Sequence, residues 1–435
     1  MDAMADVFPF RALRFNPREV SIERVVTQPY DKISKAMQER YLALDPRNVV
    51  RVVLGKPLPG DSSGDNFYTR AARLLSEWRD SGVLESLPRE SFIAYFQHFV
   101  VPGTSEQRVR KGFIGLGQLE DYANKVVFPH ERTLAGPKQD RLELLRHTRT
   151  HLEQIFVLYE DPARRIDQIL DGVASLEPDI DVSDEYGVRH VLWVVSDADA
   201  VRRIQEQMRD KKLIIADGHH RYETALAYRN ECRRMNGVQP DAPYERLPMT
   251  FFNMHDPALA ILPTHRVVTN LPEFDGAAFL ARASEYFDIE PAPADSEAFR
   301  TTLAKSGARR ITIGAAMEGR RVLLGLKPLD LTKRLGDLSA NERNLDVVVL
   351  HRLLIEYCLG ITEDAVAHES NITYVREFDA ALQAVRHGAQ ISFLLNPTRL
   401  DQLRDIAYDG RVMPQKSTDF YPKVLSGLML YSLDR

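Results

Sequence analysis

Apolar residues recur at helical spacing between Phe67 and Trp78, where Phe67, Ala71, Leu74, Leu75 and Trp78 share one face and predict a helix turned to a core. A second helix is expected over residues 35–44, and the β-branched run 48–54 between the two reads as a strand. Apolar runs at 91–101 and 108–119 flank the breaker pair Pro102-Gly103, which predicts a long hairpin. After a polar, proline-containing loop at 128–139 and a helix near 140–152, strands are expected at 155–159, 190–195 and 213–216. Helical patterns at 163–174 and 199–208 separate them, and this βαβ rhythm predicts an α/β fold on a mixed sheet.

The texture changes near Leu271. A helix, a strand at Ile289, a helix over 296–305 and strands at 310–315 and 321–327 around Glu318-Gly319 predict a small α+β subdomain. Beyond it, 346–358, 377–385 and 399–407 read as helices, 391–395 as a strand, and 424–433 as a strand re-entering the main sheet. The expected division is a main α/β region over 1–270, the small subdomain over 271–345, and a helical segment with a returning strand over 346–435. No repeat of fixed period interrupts this scheme.

Charge and composition narrow the partners. The 57 Lys and Arg against 62 Asp and Glu leave 435 residues with a net charge of -5, so no global attraction to nucleic acid or to an anionic membrane is available. Any anion site must be local, and the expected partner is a small-molecule substrate; oligomeric state is not set by these features. The cysteines, Cys232 and Cys358, are too few for a thiolate metal cluster and suit a reducing compartment. Residues 1–10 lack a basic segment followed by an apolar stretch, and no apolar run reaches the roughly 18 residues of a spanning helix. A cytoplasmic protein is expected.

Candidate chemistry concentrates after the apolar run Leu213-Ile214-Ile215-Ala216. It ends in Asp217-Gly218, and a helix carrying Ala225, Leu226 and Tyr228 begins at once. A strand-to-helix turn of this kind points backbone N–H groups and the positive end of the helix dipole outward, where a phosphate can sit. His219, His220 and Arg221 add donors at the same place, and an arginine fork matches phosphate geometry. Gly218 permits a backbone conformation that a Cβ would block. The alternative reading is structural: Asp217 caps the helix and the histidines bond locally.

The string Ala-Asp-Gly-His-His-Arg-Tyr-Glu-Thr-Ala-Leu resembles the signature of the domain of unknown function 1015 family. Pro29-Tyr30-Asp31, Pro129-His130-Glu131-Arg132-Thr133, Leu262-Pro263-Thr264-His265-Arg266 and Met413-Pro414-Gln415-Lys416-Ser417-Thr418, continuing to Phe420-Tyr421-Pro422-Lys423, agree with it across nearly the whole chain. The Asp-Gly-His-His-Arg block is also similar to the phosphate-binding motif of the ParB and sulfiredoxin-like superfamily, which includes nucleotide-binding partition proteins and kinases of free serine. The chain departs from that pattern in lacking a recognisable ParB first box before Leu213. The resemblance implies a small-molecule kinase that moves a phosphoryl group from a nucleotide or pyrophosphate, with Mg²⁺, to a hydroxyl acceptor. Free L-serine is one such acceptor, which would tie the protein to serine metabolism.

Within that reading the remaining motifs acquire roles. Phosphoryl transfer to a hydroxyl needs a group to take the proton and cations to offset charge. Glu131 is the base candidate, with Asp217 as its competitor and His130 as a further catalytic candidate; Arg132 and Thr133 would bind substrate, and the alternative is a solvated loop with a Glu-Arg surface pair. Lys416, Ser417, Thr418 and Lys423 lie between or beside Pro414 and Pro422 and form a candidate phosphate clamp, although no Walker A glycines precede the lysine. The alternative is a turn whose hydroxyls bond their own backbone. His265 and Arg266 would reach the same pocket or form a buried structural pair, and Asp31 is a substrate or Mg²⁺ ligand or a turn residue. Loops 130–133 and 416–423 are expected to converge on the turn. Two other functions stay open: a metal-dependent phosphohydrolase using His219, His220 and Asp217, and a non-catalytic nucleotide-binding regulator.

Overall fold

The runs on either side of Pro102-Gly103 form the strands Phe92–Val100 and Gln107–Gln118, paired antiparallel as the hairpin pattern predicts. The structure is a computed structural model and describes residues 5–131, 136–368 and 370–434. Two compact units emerge, one from Met1–Pro129, Thr133–Ala260 and Tyr421–Arg435, the other from His130–Arg132 and Ile261–Phe420.

In the first unit the hairpin lies inside a mixed sheet that makes the fold α/β. Its strand order is Val127–Phe128, Leu213–Asp217, Ile155–Tyr159, Arg246–Asn253, Gln107–Gln118, Phe92–Val100, Arg189–Val195 and Ile180–Ser183, with Val7–Phe8 also on Gln107–Gln118. Two pairings are parallel, that of Leu213–Asp217 with Val127–Phe128 and that of Arg246–Asn253 with Ile155–Tyr159. On one face Phe92, Phe96, Phe113, Val157, Trp193 and Phe251 form a core with Ile166, Ile169, Leu170, Ile204 and Met208. Those last five project from helices Arg165–Val173 and Ala198–Met208, whose apolar stripes face the sheet. The opposite face carries polar groups at its centre: Gln97 stands in register with Arg110 on one neighbouring strand and His190 on the other.

Residues 48–54 correct the expectation of a strand, because Val50–Val53 is a helical turn. Asn48 sets it: its Oδ1 accepts from the Val50 N–H at 2.9 Å and its Nδ2 donates to the Arg24 carbonyl at 2.7 Å. Val49, Val50, Val52 and Val53 are all buried, and a short apolar run covered on every side carries no readable period. The 424–433 run is corrected too, since it does not rejoin the large sheet. Tyr431–Ser432 pairs with Thr150–His151 in a two-stranded ribbon, and the preceding residues touch strand-like backbone through bridges at Thr27↔Ser426 and Leu13↔Leu430.

The second unit holds an antiparallel sheet ordered Phe287–Pro291, Arg320–Leu326, Thr312–Met317, Ile391–Leu394, His265–Val268 and Ile372–Val375. Phe299, Leu303, Phe378, Ala381 and Leu382 come from helices Ser296–Gly307 and Phe378–Arg386 and pack on Leu323 and Leu394. Its strands run from residue 265 to 394, so the sheet takes in segments on both sides of the stretch 271–345. Among the described residues no helix is long and apolar enough to cross a membrane.

Candidate functional site

The strand Leu213–Asp217 is buried up to Ala216, and its pairing with Ile155–Tyr159 shifts register between Ile215 and Asp217. A shift of this kind re-aims the side chain that follows it, and here that side chain is Asp217. Gly218 then takes φ 93° and becomes the N-cap of the helix His219–Asn236. A Cβ at Gly218 would lie 2.9 Å from Ile155 Cγ2 and 3.0 Å from Arg221 Cζ, so the turn requires glycine on both conformational and steric grounds. No side chain caps this helix, which removes the reading of Asp217 as a cap. Its carboxylate accepts instead from Arg221 Nη2 at 2.7 Å and from Lys423 Nζ at 3.0 Å. Arg221, one helical turn along, also donates to the Gln154 carbonyl. His219 and His220 occupy the first helical positions and are half-buried.

Burial pushes the Asp217 carboxyl up, but Lys423, Arg221 and Lys32 more than reverse this and hold it well below the usual carboxylate range. It is a fixed anion and a poor proton acceptor. Burial likewise opposes the charge on Arg221, and Glu153, Asp217 and Asp31 together overcome it. Asp31, expected as a ligand or turn residue, lies in the short helical turn Tyr30–Lys32 and faces this network. Sequence reasoning missed Glu153, Lys32 and Arg141. Glu153 accepts from the Tyr30 N–H at 3.0 Å and from the Ser426 hydroxyl. The Arg141 guanidinium lies 4.3 Å from the centre of the Tyr30 ring. The sequence marks Glu153 only as an acid just before the apolar run 155–159; its burial emerges from the structure.

In the second unit the structure brings His130, Glu131 and Thr418 together. Glu131 Oε1 accepts from both the N–H and the hydroxyl of Thr418, each at 2.9 Å, and His130 Nε2 lies 2.7 Å from the same hydroxyl. The backbone is joined as well, through a parallel bridge between Glu131 and Met413. Arg266 is buried and donates to the carbonyls of Gln415 and Lys416 at 3.3 and 3.0 Å, so it holds the backbone of the 415–418 segment. Ser417 bonds the Pro414 carbonyl at 2.5 Å, as in the turn alternative. His265 is buried in its strand, where Nδ1 accepts from the Leu395 N–H at 3.2 Å. The proposed substrate-binding Arg132 and Thr133 fall outside the described residues.

A divalent cation does not suit Asp217, because each carboxylate oxygen already meets a cationic donor and a metal would face both charges. Among the described residues no group of three or more His, Cys, Asp or Glu side chains is placed to hold a metal ion. The turn offers first-turn N–H groups, two histidines, Arg221 and Lys423, a donor set for an anion.

A family model described as "Protein of unknown function (DUF1015)" matches residues 7–355. No functionally curated protein matches in sequence. Among solved structures, similarity at 11% identity extends to a free serine kinase variant in complex with ADP, with a TM-score of 0.35, covering 70% of this chain and 89% of that one. A conserved hypothetical protein from Pyrococcus furiosus is similar at 11% identity and TM-score 0.33, covering 70% and 92%. SbnI with a C-terminal truncation, from Staphylococcus aureus, is similar at 11% identity and TM-score 0.37, covering 74% and 89%. At this distance no activity is transferred from these proteins.

Proposed function

The chain belongs to the DUF1015 family, and we propose that this member is a small-molecule kinase that transfers a phosphoryl group from a nucleotide or pyrophosphate to a hydroxyl acceptor. The observation that carries the reading is the turn at 217–221. A strand end, a glycine N-cap at φ 93° and a long helix present main-chain donors, while Arg221 and Lys423 are both pinned on the Asp217 carboxylate. A carboxylate fixed in this way orients two cations without being able to take their protons. Phosphoryl transfer needs such positioned positive charge more than covalent chemistry from the protein.

In this reading the acceptor oxygen forms the new P–O bond, the bond to the donor's bridging oxygen breaks, and a carboxylate takes the acceptor proton, for which Glu131 is the candidate the sequence offers. Two hydrogen bonds from Thr418 hold that carboxylate. Free L-serine is the first acceptor to test. The full-length protein is incubated with ATP, ADP, CTP or pyrophosphate and with L-serine or other small hydroxyl compounds, and products are read by mass spectrometry. A phosphorylated acceptor formed in step with donor consumption is the expected result. Release of inorganic phosphate alone would make the protein a hydrolase, and donor binding without turnover would make it a nucleotide-binding regulator.

A further inference from the structure

Arg110 is fully buried, yet every hydrogen bond its guanidinium makes among the described residues goes to a neutral oxygen. Nε donates to Gln97 Oε1 at 3.0 Å, Nη1 to the Tyr421 carbonyl at 3.2 Å and Nη2 to the Pro422 carbonyl at 2.5 Å. The group lies between two aromatic rings, 4.7 Å from the centre of Phe156 and 4.4 Å from that of Phe252. Gln97, directly opposite on the neighbouring strand and also fully buried, donates to the next carbonyl, that of Lys423, at 2.8 Å. Its amide is steadied in turn by the Tyr95 hydroxyl at 3.1 Å.

A buried cation without a carboxylate partner is costly, and an apolar side chain of similar volume would fill this place more cheaply. The arrangement is explained by where its donors point. Three consecutive carbonyls, at 421, 422 and 423, are held by two side chains from the middle of the rigid sheet. Beyond Tyr421 this segment leaves regular strand structure, so the sheet ladder does not hold it. The side chain at its end, Lys423, places Nζ 3.0 Å from Asp217.

We propose that Gln97 and Arg110 are positioning residues for the anion site, fixing the backbone of 421–423 and thereby setting where the Lys423 ammonium stands against Asp217. The proposal rests on the reading of the 217–221 turn as the site of the phosphoryl donor. Neither residue touches the donor; both act through Lys423.

The test uses full-length protein and compares Gln97→Glu, Arg110→Lys, Lys423→Met and the Gln97→Glu/Lys423→Met double variant. Glutamate at 97 keeps an acceptor for Arg110 but removes the N–H that holds the Lys423 carbonyl. ADP affinity is measured by calorimetry, kcat and KM for the donor are measured with the best acceptor, and each variant's Tm is recorded. Gln97→Glu is expected to weaken ADP binding and raise the donor KM about tenfold, with kcat nearly unchanged. The double variant should bind no worse than Lys423→Met alone, because both changes act on one contact. Where Gln97→Glu does not fold, Arg110→Lys combined with Lys423→Met gives the same comparison. Unchanged ADP affinity in a folded Gln97→Glu or Arg110→Lys, or losses that add to that of Lys423→Met, would overturn the positioning role while leaving the anion site standing. Unchanged affinity in both Lys423→Met and Arg221→Lys would instead remove the anion site itself, and the positioning role with it.

Discussion

Arg221 donates through two nitrogens, to Asp217 at 2.7 Å and to the Gln154 carbonyl. Lysine keeps the charge but replaces a planar fork with one compact ammonium, so Arg221→Lys should weaken donor binding by about 1–3 kcal/mol with the fold retained. Calorimetry with ADP and a melting curve check both halves of that statement. The two carboxylates separate in the same way. Glutamine at 131 still offers Oε1 to the N–H and hydroxyl of Thr418, so Glu131→Gln should lower kcat by about 10²-fold and leave Tm nearly unchanged. Asp217→Asn should act in the opposite sense, because it strips the counter-charge from Arg221 and Lys423. Breaking a buried ion pair from one side costs roughly 3–5 kcal/mol, so its main effect should be a lowered Tm. Full activity in Glu131→Gln with a collapse of kcat in a stable Asp217→Asn would exchange their roles.

The strand-turn-helix was legible because its signals are local: an apolar run, then Asp-Gly, then helical spacing, with Gly218 at φ 93° where only glycine rests easily. The register shift between Ile215 and Asp217 was not legible, since it arises from pairing with Ile155–Tyr159 and has no mark in the strand's own residues. For the same reason Arg110 and Gln97 read as members of a hairpin, and their grip on residues 421–423 depends on backbone more than 300 positions away. The 48–54 run failed differently, because side-chain bonds from Asn48 overrode the β preference of valine. Glycine substitutions isolate what the turn demands. Gly187 also has positive φ, at 76°, but a Cβ there meets nothing within 4 Å. Gly187→Ala should therefore cost about 1 kcal/mol from backbone strain alone. Gly218→Ala adds contacts at 2.9 Å with Ile155 and 3.0 Å with Arg221, so it should cost roughly 2–4 kcal/mol and also weaken ADP binding by displacing the guanidinium. Equal denaturation midpoints for the two variants would count against a close approach at the turn.

Each unit of the molecule buries a histidine that its surroundings keep neutral, and this predicts how the whole responds to acid. Burial holds His151 in the first unit and His265 in the second down to about 3. The His151 ring stacks on Tyr431, and His265 uses Nδ1 to accept the Leu395 N–H. In the unfolded chain both should titrate near about 6.5. Above that pH neither state is protonated and the histidines contribute no pH dependence. Below it the unfolded chain takes protons that the folded chain refuses, so stability falls as pH drops from about 6.5 toward about 3. The slope is about 1.4 kcal/mol per pH unit for each histidine, or roughly 2 kcal/mol each by pH 5. Asp217 acts in a separate window: its lowered pKa stabilises the fold above the unfolded value near about 4, and that contribution is lost only at more acid pH. Urea unfolding at pH 7.5, 6, 5 and 4.5 should show this decline, offset in part by Asp346, whose carboxyl burial raises to about 6 so that the folded chain gains a proton there over the same range. Burial also holds His351 down to about 3 and lowers His190, so His265→Asn, which keeps an acceptor for the Leu395 N–H without a titrating ring, should lessen the slope by well under half if the units unfold together. If two transitions are resolved, His265→Asn should lessen the slope of one and His151→Asn that of the other, each leaving the share of His351 or His190 in place. A profile level from pH 7.5 to 5, or a slope unaltered in both variants, would contradict the neutral burial of these rings.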